Sequence, residues 1–522
     1  MMKKYDYIII GSGFGGSVSA LRLAEKGYSV LVIEKGKWFK KDDFPKTNWN
    51  LRKWIWLPSI GFYGIMKMTF YKHIAILSGT GVGGGSLVYA NTLPKPHSNF
   101  YKNGSWSSIM DWETELSPYY EKAKQMLGAA RNPNIEVGDS ILKDLAKERN
   151  QVANFDSTDV GVFFNDTEDE VDDPFFNGKG PRRSACTFCG ACMTGCRHDA
   201  KNSLDKNYLY LAQKLGVEII SEQEVYDVLP VNSDDGKDGY IVKSKSATKL
   251  FKKKLEFETQ NVIFSGGVLG TLNLLLKLKQ KSLPNISNQL GRNVLTNNES
   301  LIFSVNKDPK VDLSKGVAIG SILNVDEKTH LEIVRYGEGS GFWRLGMLPT
   351  SVGNNIFSRF ANVIYKLLSN PLEYLKLAFA KDFAKQSVVL LFMQQIDTTL
   401  QFKKGLFRLK SKLSSGPRPS AQIPLAFELA DKYSELNNGK PMVLMTETIF
   451  NMPSTAHILG GAVMGETKEQ GVIDKYNKVF GYENMMICDG SMISSNPGVN
   501  PSLSITAITE RAMGGIKDRG SR

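Results

Sequence analysis

The sequence predicts an α/β fold built on a Rossmann-like dinucleotide-binding unit, and two observations lead there. The first is a short apolar strand, Tyr5 to Ile10, that runs straight into Gly11-Ser12-Gly13-Phe14-Gly15-Gly16 and then into an amphipathic stretch through Leu21, Leu23 and Ala24. A second apolar run, Ser29 to Ile33, ends at Glu34. In such a unit the glycines permit a tight turn and close backbone approach, the helix N-terminus meets a pyrophosphate, and the acid takes a ribose hydroxyl. A bare glycine pattern is weak; strand, turn, helix and acid in register make it specific. Gly11, Gly13, Gly16 and Glu34 are therefore the expected nucleotide contacts, with FAD and NAD both open. The second observation is length. At 522 residues the chain exceeds what one core sustains, so two intertwined domains are expected.

Further along, Leu51 to Phe70 carries Trp54, Ile55, Trp56, Phe62, Tyr63 and Met66 with few charges, the character of a lid over an apolar ligand. Gly79 to Ser86, GTGVGGGS, supplies a backbone able to lie flat against a large ligand through Gly83, Gly84 and Gly85. Its apolar flanks, IAIL and LVYA, argue for burial against the alternative of a flexible linker. The acidic run Glu168 to Asp173 reads as a surface loop.

Four of the five cysteines fall together as Cys186-x2-Cys189-x2-Cys192-x3-Cys196. Zinc ribbons separate two short pairs by a dozen or more residues, whereas this compact run has the spacing by which ferredoxin-like segments wrap an iron–sulfur cluster. The bacterial ferredoxin run continues with Pro, and Arg197 stands there instead. An iron–sulfur cluster, a zinc ion and thiols without metal are the three readings.

Between Asn355 and Lys385, Ile356, Phe360, Val363, Ile364, Leu367 and Leu368 fall on one helical face, and Pro371 starts a second helix. Arg359, Lys366, Lys376, Lys381 and Lys385 flank them. A basic amphipathic pair of this kind lies on a membrane surface or packs on the protein core. Near the end, AHILGG places His457 beside a glycine pair and GVNP brings Asn500. Taking a hydride from a C–OH carbon requires the hydroxyl proton to leave as well; an imidazole can accept it while an amide orients the oxygen. A structural His and an ordinary Asn-Pro turn are the plainer alternatives.

Taken together, GSGFGG, GVGGGSLV at 81 to 88, SLDKNYL at 203 to 209, NVIFSGGVLGT at 261 to 271, HILGGAVMG and ICDGSMISSNPGVNPSLSITAITER resemble the glucose-methanol-choline oxidoreductases, most closely the cholesterol oxidase branch. The stretch from about 305 to 450 matches only in outline. The resemblance implies a discontinuous FAD-binding domain of residues 1–40, 70–100, 185–305 and 450–522. A substrate or cap domain of residues 41–69, 101–184 and 306–449 would be built on an antiparallel or mixed sheet. It implies FAD as cofactor, Asp489 and Gly490 in a flavin-contacting turn, and a glutamate base in THLEIVRYGEG, which points to Glu332 with Glu338 as competitor. The expected reaction is FAD-dependent oxidation of the hydroxyl of an apolar, sterol-like or other lipidic alcohol, with His457 and Asn500 at the alcohol oxygen. Well-known cholesterol oxidases lack the cysteine run, so here the sequence departs from that pattern. A cluster beside SLDKNYL would accept electrons from reduced FAD; without one, oxygen is the simpler acceptor. A small polar alcohol or sugar is the alternative substrate, and a non-enzymatic electron carrier or redox sensor the alternative function.

The formal charge of +12 and a pI near 9.1 suit nucleic acid or an anionic membrane surface. No basic helix with a nucleic-acid motif is present and the lysines are scattered, so nucleic acid is excluded as an expected partner. Five cysteines in so long a chain exclude a disulfide-built fold. The first strand begins within four residues of Met1, which leaves no room for a signal peptide, and no stretch of 18 charge-free apolar residues occurs. A cytoplasmic protein, in possible peripheral contact with a membrane, is expected.

Overall fold

The computed structural model describes residues 2–167, 169–397, 399–406, 408–414 and 418–521, so Glu168 of the acidic run lies outside the described residues. Two seven-stranded sheets organise the chain. In the first, Lys3–Ile10 lies between Val30–Ile33 and Lys254–Phe264, all parallel, with Glu218–Ile220 parallel at one edge and Met485–Ile487 parallel beside Lys254–Phe264. Tyr240–Ser246 and Gln223–Pro230 extend it as an antiparallel hairpin. Ile8, Ile9, Leu31 and Val32 are buried on both faces, as continuous apolar runs in a covered parallel sheet must be. The covering helix Phe14–Glu25 packs against Tyr208–Lys214 and Ser502–Gly514.

The second sheet is antiparallel throughout, in the order Met347–Pro349, Gly439–Leu444, Ser300–Asn306, Ser387–Gln394, Thr329–Val334, Ile319–Asp326 and Phe155–Ser157. The pleat sorts its side chains. Leu331, Ile333, Leu390 and Phe392 join a core with helices Val137–Glu148 and Pro424–Leu436. Val334, Val389 and Leu391 face the other way, toward a cavity shared with the first sheet.

Two stretches pack across the partition drawn from sequence. Trp106, Trp112, Leu116 and Tyr120 belong to the core of the first sheet, where helix Trp112–Met126 lies against Ser502–Gly514. Stacking of Trp106 on Trp112, the Tyr120–Ser504 hydroxyl pair at 2.9 Å and the Arg511–Glu115 ion pair at 2.7 Å hold it there. Strand Ser300–Asn306 lies inside the second sheet.

The amphipathic segment forms helices Ile356–Ser369 and Pro371–Ala378. Asn355 and Ser358 make a capping box on the first, and Pro371 starts the second. Arg359, Val363 and Leu377 are the buried residues in this pair. Phe357, Leu368 and Phe379 are 82%, 74% and 77% exposed, so core packing does not account for the apolar face. No helix among the described residues is long and apolar enough to cross a membrane.

Candidate active site

One cavity of about 900 Å³ runs between the two sheets, at the upper end of the range for ligand pockets. The glycine turn forms one end. Gly11 has φ +104°, and a Cβ there would meet the Ser265 carbonyl at 2.3 Å; a Cβ on Gly16 would meet the Gly11 carbonyl at 2.1 Å. Gly13 differs, because its Cβ would meet nothing within 4 Å and would project into the cavity it lines. The second glycine loop closes on the first: a Cβ on Gly84, at φ +53°, would sit 2.7 Å from Gly13 Cα, and Gly83 N–H donates to Ser12 Oγ at 3.1 Å. Gly84 and Gly85 line the cavity. Glu34 is buried and fixed by Ser12 N–H and Oγ at 3.1 and 2.8 Å and by Gly36 N–H at 2.8 Å. This cradle of bare backbone and one buried acid fits the adenosine and pyrophosphate of FAD.

Asp489 and Gly490 border the same cavity where Met485–Ile487 ends. Asp489 is buried and accepts from Thr271 Oγ1 at 2.5 Å and from Ser491 N–H and Oγ, contacts that fix the turn.

The far end holds the titratable groups. His457 and Asn500 both line the cavity, and the amide oxygen of Asn500 is buried without a hydrogen-bond partner. Glu332 faces the same side as Val334 and is fully buried, with the Asn500 amide its nearest polar partner. Burial pushes its pKa up to about 8, against the pull of His457 and Asn500. Sequence alternation left open a solvent-facing Glu332; the opposite face carries the leucine core, and the cavity side takes the acid. Glu338 is exposed and paired with Lys385 at 2.6 Å, which removes it as a competitor.

Sequence reasoning missed Glu299. It is fully buried; Oε1 accepts from Thr455 Oγ1 at 2.5 Å and lies 3.1 Å from His457 Nδ1, and Oε2 accepts from Ala456 N–H at 3.0 Å. Burial alone would raise its pKa, but the charge of His457 and these hydrogen bonds hold it below the ordinary carboxylate range. The same contact lifts His457 above its ordinary value despite burial. With Nδ1 engaged, His457 has Nε2 left for a ligand. Glu447, also fully buried, is pushed up to about 8 chiefly by burial. Nothing in the sequence around Glu299 marks it, since His457 and its other partners are distant in the chain; Glu447 accepts from the nearby Ser454 N–H at 3.2 Å.

The cysteine run forms a loop beside the cavity, which Met193 lines. All four thiols are half-buried; Phe188 N–H donates to Cys186 Sγ at 3.4 Å, and buried Lys201 donates to the carbonyls of Leu87, Tyr89 and Cys192. Burial raises Cys186 far above the usual thiol range and takes Cys192 to about 11, with Lys201 opposing the latter. Among the described residues no three Cys, His, Asp or Glu side chains are grouped to hold a metal ion, so neither the zinc nor the iron–sulfur reading has geometric support.

The GMC oxidoreductase pattern matches residues 181–295 and 410–509, and an NAD(P)-binding Rossmann-like pattern matches 9–38. A cholesterol oxidase of Acinetobacter baumannii is 44% identical over 520 residues, covering 98% of this chain and 94% of its own. One from Mycobacterium tuberculosis is 39% identical over 534 residues, at 98% and 91% coverage. A long-chain-alcohol oxidase of Arabidopsis thaliana is 24% identical, covering 96% of this chain and 65% of its own. The crystal structure of pyridoxine 4-oxidase from Mesorbium loti has the same fold, at TM-score 0.61, 13% identity and 98% coverage of both chains. Cradle, cavity and kinship define an FAD-dependent oxidoreductase acting on CH–OH groups. The chain belongs to the GMC oxidoreductase family, and its full length is similar to cholesterol oxidases.

Proposed function

We propose that this enzyme oxidises the hydroxyl of an apolar, sterol-like or other lipidic alcohol. The observation that carries the reading is Glu332: a fully buried carboxyl just behind the cavity wall, beside His457 and Asn500, both of which line the cavity. His457 Nε2 and the Asn500 amide hold the alcohol oxygen, and Glu332 takes its proton. FAD, when bound, supplies the hydride acceptor. Gly11, Gly13, Gly16 and Glu34 hold its adenosine and pyrophosphate, and Gly83, Gly84, Gly85, Asp489 and Gly490 approach the rest. The first sheet serves the cofactor and the second the substrate. Apolar lining such as Leu301, Phe303, Val389 and Leu391, together with relatives named for cholesterol and long-chain alcohols, supports an apolar substrate.

Two finer assignments accompany this reading. Cys186, Cys189, Cys192 and Cys196 are the residues that would hold an iron–sulfur cluster, which would supply an electron exit; the ferredoxin spacing in sequence is what supports it. Without the cluster, oxygen is the acceptor. Helices Ile356–Ser369 and Pro371–Ala378 rest on a membrane surface, which their exposed apolar side chains support.

Anaerobic mixing with candidate alcohols tests the reading. A sterol or long-chain alcohol should bleach the flavin absorbance. His457→Ala and Asn500→Ala should each slow bleaching about 100-fold while FAD stays bound. Bleaching by a sugar and by no apolar alcohol, or parental rates in both variants, would overturn the substrate class or the site respectively.

A further inference from the structure

A proton taken by Glu332 has no direct way to water, because the side chain is fully buried. One neighbour relieves that isolation. His330 stands two residues earlier on the same strand, faces the same side of the pleat, and brings Nε2 to 3.7 Å from Glu332 Oε1. It is 3% exposed, and Nε2 has no hydrogen-bond partner. A buried imidazole nitrogen left unpaired costs stability, so its retention beside a base calls for a use. Its register partners on the flanking strands are Asn324 and Met393, neither of them a titrating group.

A third histidine extends the line outward. His97 is exposed, on the segment that precedes helix Asn99–Lys102, and lies close enough for its charge to act on His330, as does that of His457. Of the chain's five histidines, His330 and His457 stand beside Glu332, and the charge of His97 reaches His330. The other acid near His457 offers no exit: Glu299 already accepts from Thr455, Ala456 and His457.

We propose that His330 carries the hydroxyl proton of the substrate from Glu332 outward to His97 and water. The step balances without any oxidant beyond the acceptor of the hydride. The Glu332 O–H bond breaks as an N–H bond forms at His330 Nε2, while the N–H at Nδ1 breaks and its proton passes outward. Each broken bond leaves its electron pair on the oxygen or nitrogen, and Glu332 returns to carboxylate. Burial, His97 and His457 hold His330 down to about 3, so the ring is neutral at rest. A neutral imidazole can pass a proton by exchanging tautomers, gaining it at one nitrogen and losing it at the other without persisting as imidazolium. His330 thus acts through Glu332 and touches neither alcohol nor cofactor.

This inference rests on Glu332 as the base, and the experiment separates the two. The FAD-loaded enzyme is mixed anaerobically with a long-chain alcohol in weak buffer containing a pH-indicator dye, so that bleaching and proton release are read together. In His330→Gln, which keeps polarity but cannot relay, bleaching in the first turnover should stay within about threefold of the parent. Proton release should lag it by at least about tenfold, and added imidazole should restore it. His97→Ala, on the surface, should give a smaller lag of the same kind. His330→Phe provides a second buried variant should the glutamine fold poorly. Release that keeps pace with bleaching in these variants, or loss of bleaching in both His330 variants, would overturn the relay. No bleaching in Glu332→Gln with normal release in His330→Gln would leave the base in place and remove His330 alone. No bleaching in the parent would sink the functional reading.

Discussion

Two buried carboxylates sit in one site and are driven to opposite charge states. Glu299 is held below the ordinary carboxylate range by the charge of His457 and three hydrogen bonds, whereas burial pushes Glu332 up to about 8. Environments that push titratable groups apart assign their roles: Glu299 positions His457, and Glu332 is the group able to gain and lose a proton near working pH. The sign follows. A base must be ionised to act, so the fraction of active Glu332 grows as pH rises toward about 8 and then levels. Flavin reduction measured anaerobically should therefore climb about tenfold per pH unit between about pH 6 and 7 and flatten above about pH 8. Glu332→Gln should lower the rate about 100-fold or more and erase the climb. A parent profile already flat from about pH 6 would remove Glu332 as the base, since its carboxyl is pushed up to about 8.

Among the elements, the helix pair at 356–378 is the one whose sequence pattern and surroundings disagree. An amphipathic helix hides its apolar face against something, yet Phe357, Phe360, Leu368, Leu372, Leu375 and Phe379 all stand in solvent. The patch adjoins the cavity mouth, since exposed Leu345 and Met445 also line the cavity and helix Ile356–Ser369 packs beside strand Met347–Pro349. Lys376 and Lys381 are exposed along it, in a chain of net charge +12. Burying one Phe or Leu side chain is worth about 1.5–3 kcal/mol, and each 1.4 kcal/mol is about a factor of ten in affinity. Phe357→Asp combined with Leu368→Asp should thus cut sedimentation with vesicles of anionic phospholipid at least about tenfold. Reduction by detergent-solubilised alcohol should be unchanged within about twofold, since neither side chain lines the cavity. Parental vesicle binding by the double variant would reject the surface.

At the scale of the whole molecule, what the sequence discloses is what lies close together along it. Strand, glycine turn, helix and Glu34 occupy one short stretch, so the cradle is legible; His457 and Asn500 are found because short apolar and glycine patterns surround them. Glu299 is 158 residues from His457, and only the packing of strand Ser300–Asn306 beside Ser454–Thr455 brings them together. Likewise Trp106 to Tyr120 follow a cap-like stretch in sequence but enter the first core through Ser504 and Arg511. The cysteine loop is local in sequence and global in place. Gly190 N–H donates to Gly316 O at 2.9 Å and Gly316 N–H to Phe188 O at 2.7 Å, tying the loop to the second-sheet side. Lys201 ties it to the second glycine loop through Leu87 and Tyr89, and Met193 reaches the cavity. A redox centre at this junction would adjoin the cofactor cavity through Met193. Protein purified without air should therefore contain iron and acid-labile sulfide alongside flavin. Cys189→Ser should lose both while alcohol still bleaches the flavin, because hydride transfer precedes electron exit, and turnover with a one-electron acceptor should fall at least about tenfold. Full flavin with neither iron nor sulfide, together with rapid oxygen consumption, would instead make the enzyme an oxidase and the cysteine run a packing device between its two sheets.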